Sequence, residues 1–294
     1  MGATAEGTTG EGTTGGRTAL VLGGGGLTGI GWECGILHGL AEAGVDLFDA
    51  DLVVGTSAGS VVGAQLTSGL LDPRELYERQ LADPAGEAVA RLGTATLARY
   101  GLAMLRSRNA TAYRRRVGAL ALAADTGEEA DRRTVLAARL RSHTWPQRKL
   151  LISAVDAVTG ELRAFDRDSG AGLVDAVTAS CAVPLVWPAV TIGGRRYIDG
   201  GIRSSANADL AVGHRRVVIL APMTLGTRLA PSARAQAAGL RKAGAEVVLI
   251  HPSEEARRAI GRNVLDPARR APAARAGLAQ AAAHADEVAR VWRA

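Results

Sequence analysis

The sequence predicts an α/β layered fold with a mostly parallel central sheet covered by helices. Two observations indicate this class: short apolar runs alternate with stretches of helical periodicity, and the apolar runs lack the polar alternation of strands that face water on one side. The chain has 294 residues and is 47% hydrophobic, which is enough for one large core. We therefore expect strands that are buried on both faces.

The predicted strands and helices follow one another along the chain without a long linker. Short runs that are β-branched in part predict strands at residues 19–22, 52–54, 149–154, 216–220 and 246–250. Helices are predicted to begin after Gly29, after Ser57, near Pro73, near Ser253 and near Pro267. This series predicts a single domain over residues 18–294.

The first 17 residues have a different composition from the rest. The sequence EGTTG occurs there twice in succession, with almost nothing to bury, which predicts a disordered tail over residues 1–17. The tail lacks the basic and apolar regions of a secretory signal, and Glu6 breaks the myristoylation pattern that Gly2 begins. From this we expect a cytoplasmic protein.

Residues 72–148 are helical in pattern, rich in arginine, and inserted between two predicted strands. One interpretation is a basic amphipathic cap over a substrate entrance, which would also provide peripheral contact with a membrane. The other is an ordinary solvated helix face. The arginines that raise the question are Arg99, Arg106, Arg108 and residues 114–116.

Composition excludes several classes of function. The net charge is +6, but the basic residues are dispersed along the chain and aromatic residues are only 3%, so we expect no nucleic-acid partner. Cys34 and Cys181 form no spaced cluster with histidines, so no zinc site is indicated. We expect both cysteines to be buried small residues in a reducing compartment.

A candidate nucleophile lies in the sequence LVVGTSAGS. Gly55, Ser57 and Gly59 form the G-x-S-x-G pattern, with a predicted strand before it and a predicted helix after it. Such a turn holds the serine in a strained conformation, and glycines two residues away on either side let strand and helix cross closely. The helix N-terminus also favours developing negative charge.

The run of glycines after the first strand has three interpretations. Bare N–H groups of Gly24, Gly25 and Gly26 are suited to an oxyanion hole for acyl transfer by Ser57. Gly24, Gly26 and Gly29 also satisfy the dinucleotide pattern G-x-G-x-x-G, with Asp49 or Asp51 as the acidic ribose ligand. The third interpretation is a plain tight turn. The serine turn after the very next strand favours the oxyanion hole.

The base for Ser57 also has alternatives. His251, after the last predicted strand, would complete a Ser-His-Asp triad, whereas the other histidines are typical of surface or packing positions. Asp199 is followed by Gly200 and Gly201, a turn that lets the aspartate approach another backbone, although an Asp-Gly turn between strands is also common.

Three elements together resemble the patatin-like phospholipase family. They are the glycine loop at residues 24–29, the serine turn at residues 55–59, and the turn of Asp199, Gly200 and Gly201 that follows ASCAVPLVWP. Their order and spacing match over about residues 18–212. The resemblance implies a three-layer α/β fold, a Ser57–Asp199 dyad in which the aspartate is the base, an oxyanion hole in the glycine loop, a lipid or other acyl-ester substrate, and no metal or organic cofactor.

The chain departs from this family in two places. Family loops usually carry arginine or lysine before the last glycine, where this chain has Thr28. The stretch after Asp199 reads IRSSANADLA, with Asn207 and without the usual proline. Two other functions stay open: a dinucleotide-dependent protein, and a catalytically idle protein that holds lipid in the same cleft.

Overall fold

The computed structural model describes residues 18–83 and 90–293, and the predicted tail at residues 1–17 lies outside them. The described residues form one eight-stranded sheet in the order β5-β6-β3-β2-β1-β7-β8, with β4 paired to β3. Its strands are β1 (Thr18–Leu22), β2 (Leu52–Thr56), β3 (Lys149–Asp156), β4 (Leu162–Phe165), β5 (Val190–Ile192), β6 (Arg195–Asp199), β7 (Arg216–Leu220) and β8 (Glu246–Ile250).

The five predicted strands form the parallel part of the sheet. They are β3, β2, β1, β7 and β8, which pair with one another in parallel in that order. In β1, Leu20 and Leu22 face one apolar core, while Ala19 and Val21 face a second core across the sheet. This confirms the mostly parallel, doubly covered sheet.

Three strands beside β3 were not predicted. β4 and β6 pair antiparallel with β3, and β5 pairs antiparallel with β6. These strands have three to five residues each and keep exposed arginine or threonine side chains, so they lack the continuous apolar pattern of the parallel strands. They nevertheless matter for the site, because β6 ends at Asp199.

Helices cover both faces of the sheet and fill most of residues 72–148. They are α1 (Gly26–Glu42), α2 (Ala58–Thr67), α3 (Pro73–Glu78), α4 (Thr94–Leu105), α5 (Ala110–Leu122), α6 (Glu129–Arg139), α7 (Leu173–Ser180), α8 (Ala233–Lys242), α9 (Glu254–Ile260), α10 (Arg270–Ala281) and α11 (Ala285–Trp292). Short 3₁₀ turns occur at Gly200–Ile202, Ala208–Ala211, Pro267–Arg269 and Ala282–His284. Among residues 18–83 and 90–293, none of these helices has the length and apolarity needed to cross a bilayer.

The first helix begins earlier than the sequence predicts. α1 starts at Gly26 rather than after Gly29, and Gly26 has a φ of +60°. The first turn is held from outside the helix, because the Thr28 N–H donates to the carbonyl of Val264 at 3.1 Å. The glycine run therefore supplies both the loop and the first helical turn, a division that local sequence does not reveal.

A seam of small residues joins α1 to α10. A Cβ atom on Gly31 would collide with the backbone carbonyl of Arg270, and one on Gly35 with that of Ala274. A Cβ atom on Gly39 would lie 2.5 Å from the Cβ of Ala281. The two helices therefore approach backbone to backbone along two turns of α1. This seam anchors the helix whose N-terminus carries the glycine loop.

Candidate active site

Ser57 stands on a strained turn between β2 and α2. Its φ and ψ are 51° and −113°, a conformation that side-chain-bearing residues rarely adopt. A Cβ on Gly55 would lie 2.6 Å from the Cα of Ser60, and a Cβ on Gly59 would collide with the carbonyl of Leu22. The two motif glycines therefore permit the close crossing of strand and helix that the pattern indicates.

The backbone of Ser57 is fixed by residues at the end of α7. Its N–H donates to Oγ of Ser180 at 2.9 Å, and its carbonyl accepts from Oγ of Ser60 at 2.6 Å and from Sγ of Cys181 at 3.3 Å. Cys181 is buried, as expected, but the sequence did not predict its position beside Ser57. Burial and Asp199 raise the pKa of the Cys181 thiol to about 11, so it stays protonated and donates.

Asp199 is brought level with Ser57 by strand register. Thr56 pairs with Ser153 on β3, and the next residue of β3, Ala154, pairs with Asp199 on β6. The two strands that carry Ser57 and Asp199 are separated by β3. Gly200 lets the turn pass closely over β3, because a Cβ there would lie 2.6 Å from the carbonyl oxygen of Ser153.

The carboxylate of Asp199 is buried and lies close enough to the Ser57 hydroxyl for that group to affect its pKa. Burial raises its pKa to about 6, against the lowering effects of hydrogen bonds from the Ser57 hydroxyl and the Gly201 amide and of the charge of Arg132. The Gly201 N–H donates to Oδ1 at 2.7 Å, and the backbone N–H of Asp199 donates to the carbonyl of Ala182 at 3.0 Å. The carboxylate is thereby oriented and partly desolvated.

Asn207 ties the Asp-Gly turn to the neighbouring strands. Its side-chain NH₂ group lies within 2.9–3.2 Å of the Thr56 and Ser153 hydroxyls and of the carbonyls of Gly200 and Ser204. Its carbonyl oxygen accepts from Arg203 at 2.8 Å. Asn207 itself has a φ of +48°, which asparagine tolerates better than most residues. The asparagine noted in the sequence is thus a support for the site.

The three predicted oxyanion donors of the glycine loop differ in whether their N–H groups are already bonded. The N–H of Gly24 is already bonded to the carbonyl of Ser205 at 2.6 Å, so the structure does not support Gly24 as an oxyanion donor. Its role is to fasten the loop to residues beyond Asp199. Within the described residues the N–H groups of Gly25 and Gly26 donate to no other backbone or side-chain group. Gly29 follows as a closely packed helical residue against Pro222.

A cavity of about 590 Å³ opens beside Ser57. Apolar side chains of α1, α2 and α6 form most of its wall, including Leu27, Val61 and Leu136. Arg132, Arg139 and Arg270 also line it. The volume and the mixture of apolar wall and few polar groups are typical of a small-molecule pocket.

The remaining sequence candidates lie away from Ser57. His251 follows β8, three strands from β2, which corresponds to about 14 Å at the usual strand spacing. Asp49 and Asp51 lie just before β2, at the N-terminal ends of the parallel strands, whereas the glycine loop follows the C-terminal end of β1. The two aspartates accept hydrogen bonds from Trp292 and Thr18. Neither can be the ribose ligand that the dinucleotide interpretation requires.

Most arginines singled out in residues 72–148 lie on exposed helix faces. Arg99, Arg106 and Arg108 are exposed, whereas Arg114 is half-buried against the carbonyl of Gly160. Arg132 on α6, which the sequence did not distinguish, is the arginine of this segment that lies close enough to Asp199 to influence its pKa. Among residues 18–83 and 90–293, no three histidine, cysteine or acidic side chains converge as a metal site.

The chain is similar to a known protein family and to several solved structures. A family model described as patatin-like phospholipase matches residues 20–212. Among solved structures, the chain is similar to VipD from Legionella pneumophila, with 14% identity and a TM-score of 0.46 over 92% of this chain and 67% of VipD. It is also similar to the type III effector protein ExoU, with 19% identity and a TM-score of 0.43 over 92% of this chain and 53% of ExoU, about half of that protein's length. No curated protein sequence matches the chain.

Proposed function

Because this chain belongs to the patatin-like phospholipase family, whose members are hydrolases of ester bonds, we propose that it cleaves lipid acyl esters through a Ser57–Asp199 dyad. The observation that carries the proposal is the proximity of the Ser57 hydroxyl to a buried carboxylate whose pKa it lowers, beside an apolar cavity. A carboxylate with a pKa of about 6 is a usable base near neutral pH, whereas an ordinary aspartate is a poor one.

The reaction proceeds in two halves. Asp199 takes the hydroxyl proton as the Ser57 oxygen attacks the ester carbonyl, and the N–H groups of Gly25 and Gly26 stabilise the tetrahedral oxyanion. Collapse breaks the ester bond, the leaving alcohol takes the proton from Asp199, and an acyl-enzyme remains. Asp199 then takes a proton from water, whose oxygen attacks the acyl-enzyme, and the fatty acid leaves as the Ser57 hydroxyl re-forms.

The apolar wall of the cavity suits the acyl chain of the substrate. Leu27, Ile30 and Val61 present side chains next to Ser57, and Leu136 of α6 faces them across the cavity. Burying a methylene group against such a wall contributes about 0.8 kcal/mol to binding. The binding free energy should therefore rise with acyl length until the chain fills the cavity.

The fluorophosphonate reaction tests the dyad directly. We expect wild-type protein to form one covalent adduct, mapped by mass spectrometry to Ser57, and Ser57→Ala to form none. Asp199→Asn should fold but label and turn over at least about 100-fold more slowly, because it lacks the base. His251→Ala is the matched control, and it should retain wild-type turnover.

The same experiment separates the alternatives. Near-complete loss of turnover in His251→Ala would establish a Ser-His-Asp triad instead. A protein that binds lipid but forms no adduct at Ser57 would be the idle lipid-binding protein. An adduct on another residue would remove the site assignment.

A cytoplasmic location and peripheral contact with a membrane stay predictions. The part of residues 72–148 that suits such contact is the exposed face of α4, where Leu97, Leu102 and Leu105 accompany Arg99. Apolar side chains next to a cation are the composition expected of an interfacial helix.

A further inference from the structure

Within the part of the chain that the structure describes, no group accepts a hydrogen bond from Arg132, a cation in the wall of the cavity that holds Ser57. It lies on α6, and its guanidinium stacks over the Trp187 ring at 4.0 Å from the centroid. Its Nε is buried and has no hydrogen-bond partner, and within residues 18–83 and 90–293 the side chain forms no ion pair. A partly buried guanidinium normally has its donors satisfied, since leaving them unmet costs free energy.

The charge of Arg132 persists at neutral pH. Burial lowers its pKa to about 10, and the nearby carboxylate of Asp199 is among the groups that raise it. The guanidinium therefore stays protonated, on a residue that lines the cavity. Stacking on Trp187 fixes the plane of the guanidinium group but satisfies none of its N–H groups.

Other charges around the cavity do not duplicate this position. Arg139 and Arg270 also line the wall but have further interactions of their own. The glycine loop contributes no cation, since the buried Thr28 directs its hydroxyl to the carbonyls of Gly25 and Val264 at 3.4 Å. Among the described residues that line the cavity, the acidic ones are Glu128 and Asp131, and both are exposed.

We propose that Arg132 binds the phosphate of a glycerophospholipid whose acyl ester lies at Ser57, and that this contact selects phospholipid over neutral acylglycerol. The inference rests on the proposed function. A guanidinium fork binds two oxygens of one phosphate in parallel, and a phosphodiester lies only a few bonds from the acyl carbonyl in such a lipid. The two exposed acidic residues of the cavity favour a headgroup that carries an ammonium beyond the phosphate, so zwitterionic probes are appropriate.

Binding of non-hydrolysable ether lipids tests this inference without turnover. The probes are a short-chain alkyl-glycerophosphoethanolamine and the matching alkylglycerol, which share the chain and differ in the phosphate headgroup. Arg132→Gln should weaken binding of the phosphate probe about 30-fold, the range of a lost charge-assisted contact, and leave alkylglycerol affinity within about twofold. Arg132→Lys should lose less, because it keeps the charge but not the fork. Arg141→Gln, an exposed arginine just after α6, is the matched control and should change neither affinity.

Turnover provides a second, independent readout. For acyl esters with the same two headgroups, Arg132→Gln should lower kcat/KM about 30-fold for the phospholipid and leave the monoacylglycerol unchanged. The assay belongs at pH 8.5, because Arg132 lowers the pKa of Asp199 and its loss would shift the acidic limb of the rate profile. Unchanged thermal melting and fluorophosphonate labelling of Ser57 would show that the variant is folded and its dyad intact.

Three outcomes would overturn the inference. Equal losses for both headgroups would mean that Arg132 only supports the fold, and no loss for the phosphate probe would mean that it does not contact phosphate. Relief of inhibition by the free fatty acid, with headgroup selectivity retained, would assign Arg132 to the product carboxylate. Failure of the proposed function is distinguishable, because wild type would then neither label at Ser57 nor hydrolyse either ester while ether-lipid binding remained measurable.

Discussion

Burial gives the carboxylate of Asp199 a raised pKa, which suits the general base of the proposed reaction. Removing the charged form from water raises its pKa from 3.8 to about 6, and the Ser57 hydroxyl, the Gly201 amide and Arg132 limit the rise. A larger rise would leave the residue protonated at neutral pH, and a smaller one would leave it too weak a base. The position of the carboxylate between solvent and core thus sets its reactivity.

The pH dependence of activity follows from this pKa. We expect kcat/KM to rise with pH through about 6, as Asp199 loses its proton, and to be level above it. Arg132→Gln should move this limb to higher pH, because the arginine charge lowers the pKa of Asp199. Initial rates with a neutral ester between pH 4.5 and pH 9 measure both; a flat profile across this range would contradict the assignment of Asp199 as base.

The same carboxylate should cost stability in the active range. Its folded-state pKa lies above the unfolded value, so the protonated form contributes stability below about pH 4 that is lost as pH rises through about 6. Asp199→Asn, which cannot ionise, should therefore be more stable than wild type at pH 8, by at most about 3 kcal/mol. Urea unfolding at pH 8 and pH 5 measures it, and the difference should shrink at the lower pH.

Residue patterns predicted the pair that the structure brings together but not its supports. Ser57 and Asp199 stand in motifs whose glycines are required by close backbone approach, so their positions are visible in the sequence. Ser180 and Arg132 are not, because a serine at a helix end and an arginine in an arginine-rich helix have many ordinary roles. Their proximity to Ser57 arises from contacts over 123 residues in one case and from the cavity wall in the other.

At the scale of elements, α1 is held by close packing rather than by amphipathic character. Nearly all of its residues are buried, and glycines spaced four apart receive the backbone of α10. Glycine inside a helix costs about 0.5–1 kcal/mol relative to alanine, a cost offset here by the contact that the missing side chain permits. The glycines lower the intrinsic stability of α1, but the close packing against α10 requires them.

Two glycine-to-alanine substitutions should therefore have opposite signs. Gly35→Ala in α1 should lower the free energy of unfolding by about 2–3 kcal/mol, because the new Cβ meets the carbonyl of Ala274. Gly101→Ala in the exposed α4 meets nothing within 4 Å and should raise it by about 0.5–1 kcal/mol. Denaturant midpoints measure both, and a stabilised Gly35→Ala would contradict the close seam.

The parallel strands could be predicted and the antiparallel ones could not, for one physical reason. A strand covered on both faces is a continuous apolar run, and all five such runs in this chain became β1, β2, β3, β7 and β8. β6 reads RRYID, with its first two side chains exposed, and carries no such signal. Its place is set by pairing with β3, a non-local contact.

Across the whole molecule, the family-matched segment shares its sheet with the residues that follow it. The match ends at residue 212, but β1 pairs with β7 over its full length, and β8 extends the sheet beyond that. The glycine loop is also held from this later segment, since the N–H of Gly23 donates to the carbonyl of Leu220 at 2.9 Å. Residues beyond 212 therefore complete the same sheet and hold the loop that follows β1.

A chain cut after residue 212 should fail to fold. Removing β7 exposes one edge of β1, and removing α10 uncovers the glycine face of α1, so buried apolar surface becomes exposed on both. We expect no cooperative thermal transition and no fluorophosphonate labelling for residues 18–212, with both restored on adding residues 213–294 as a separate fragment. A cooperative melt of the shorter chain alone would show that the family segment is autonomous.

The hydrogen bond from Thr28 to Val264 joins residues 236 positions apart and has a temporal consequence. During synthesis the nucleophile, the glycines and the aspartate all leave the ribosome well before the carbonyl that fastens the first turn of α1. A nascent chain thus carries the residues of the proposed dyad while it still lacks the hydrogen bond that holds the first turn of α1. The first turn of α1 can therefore be fastened only once residue 264 has been synthesised.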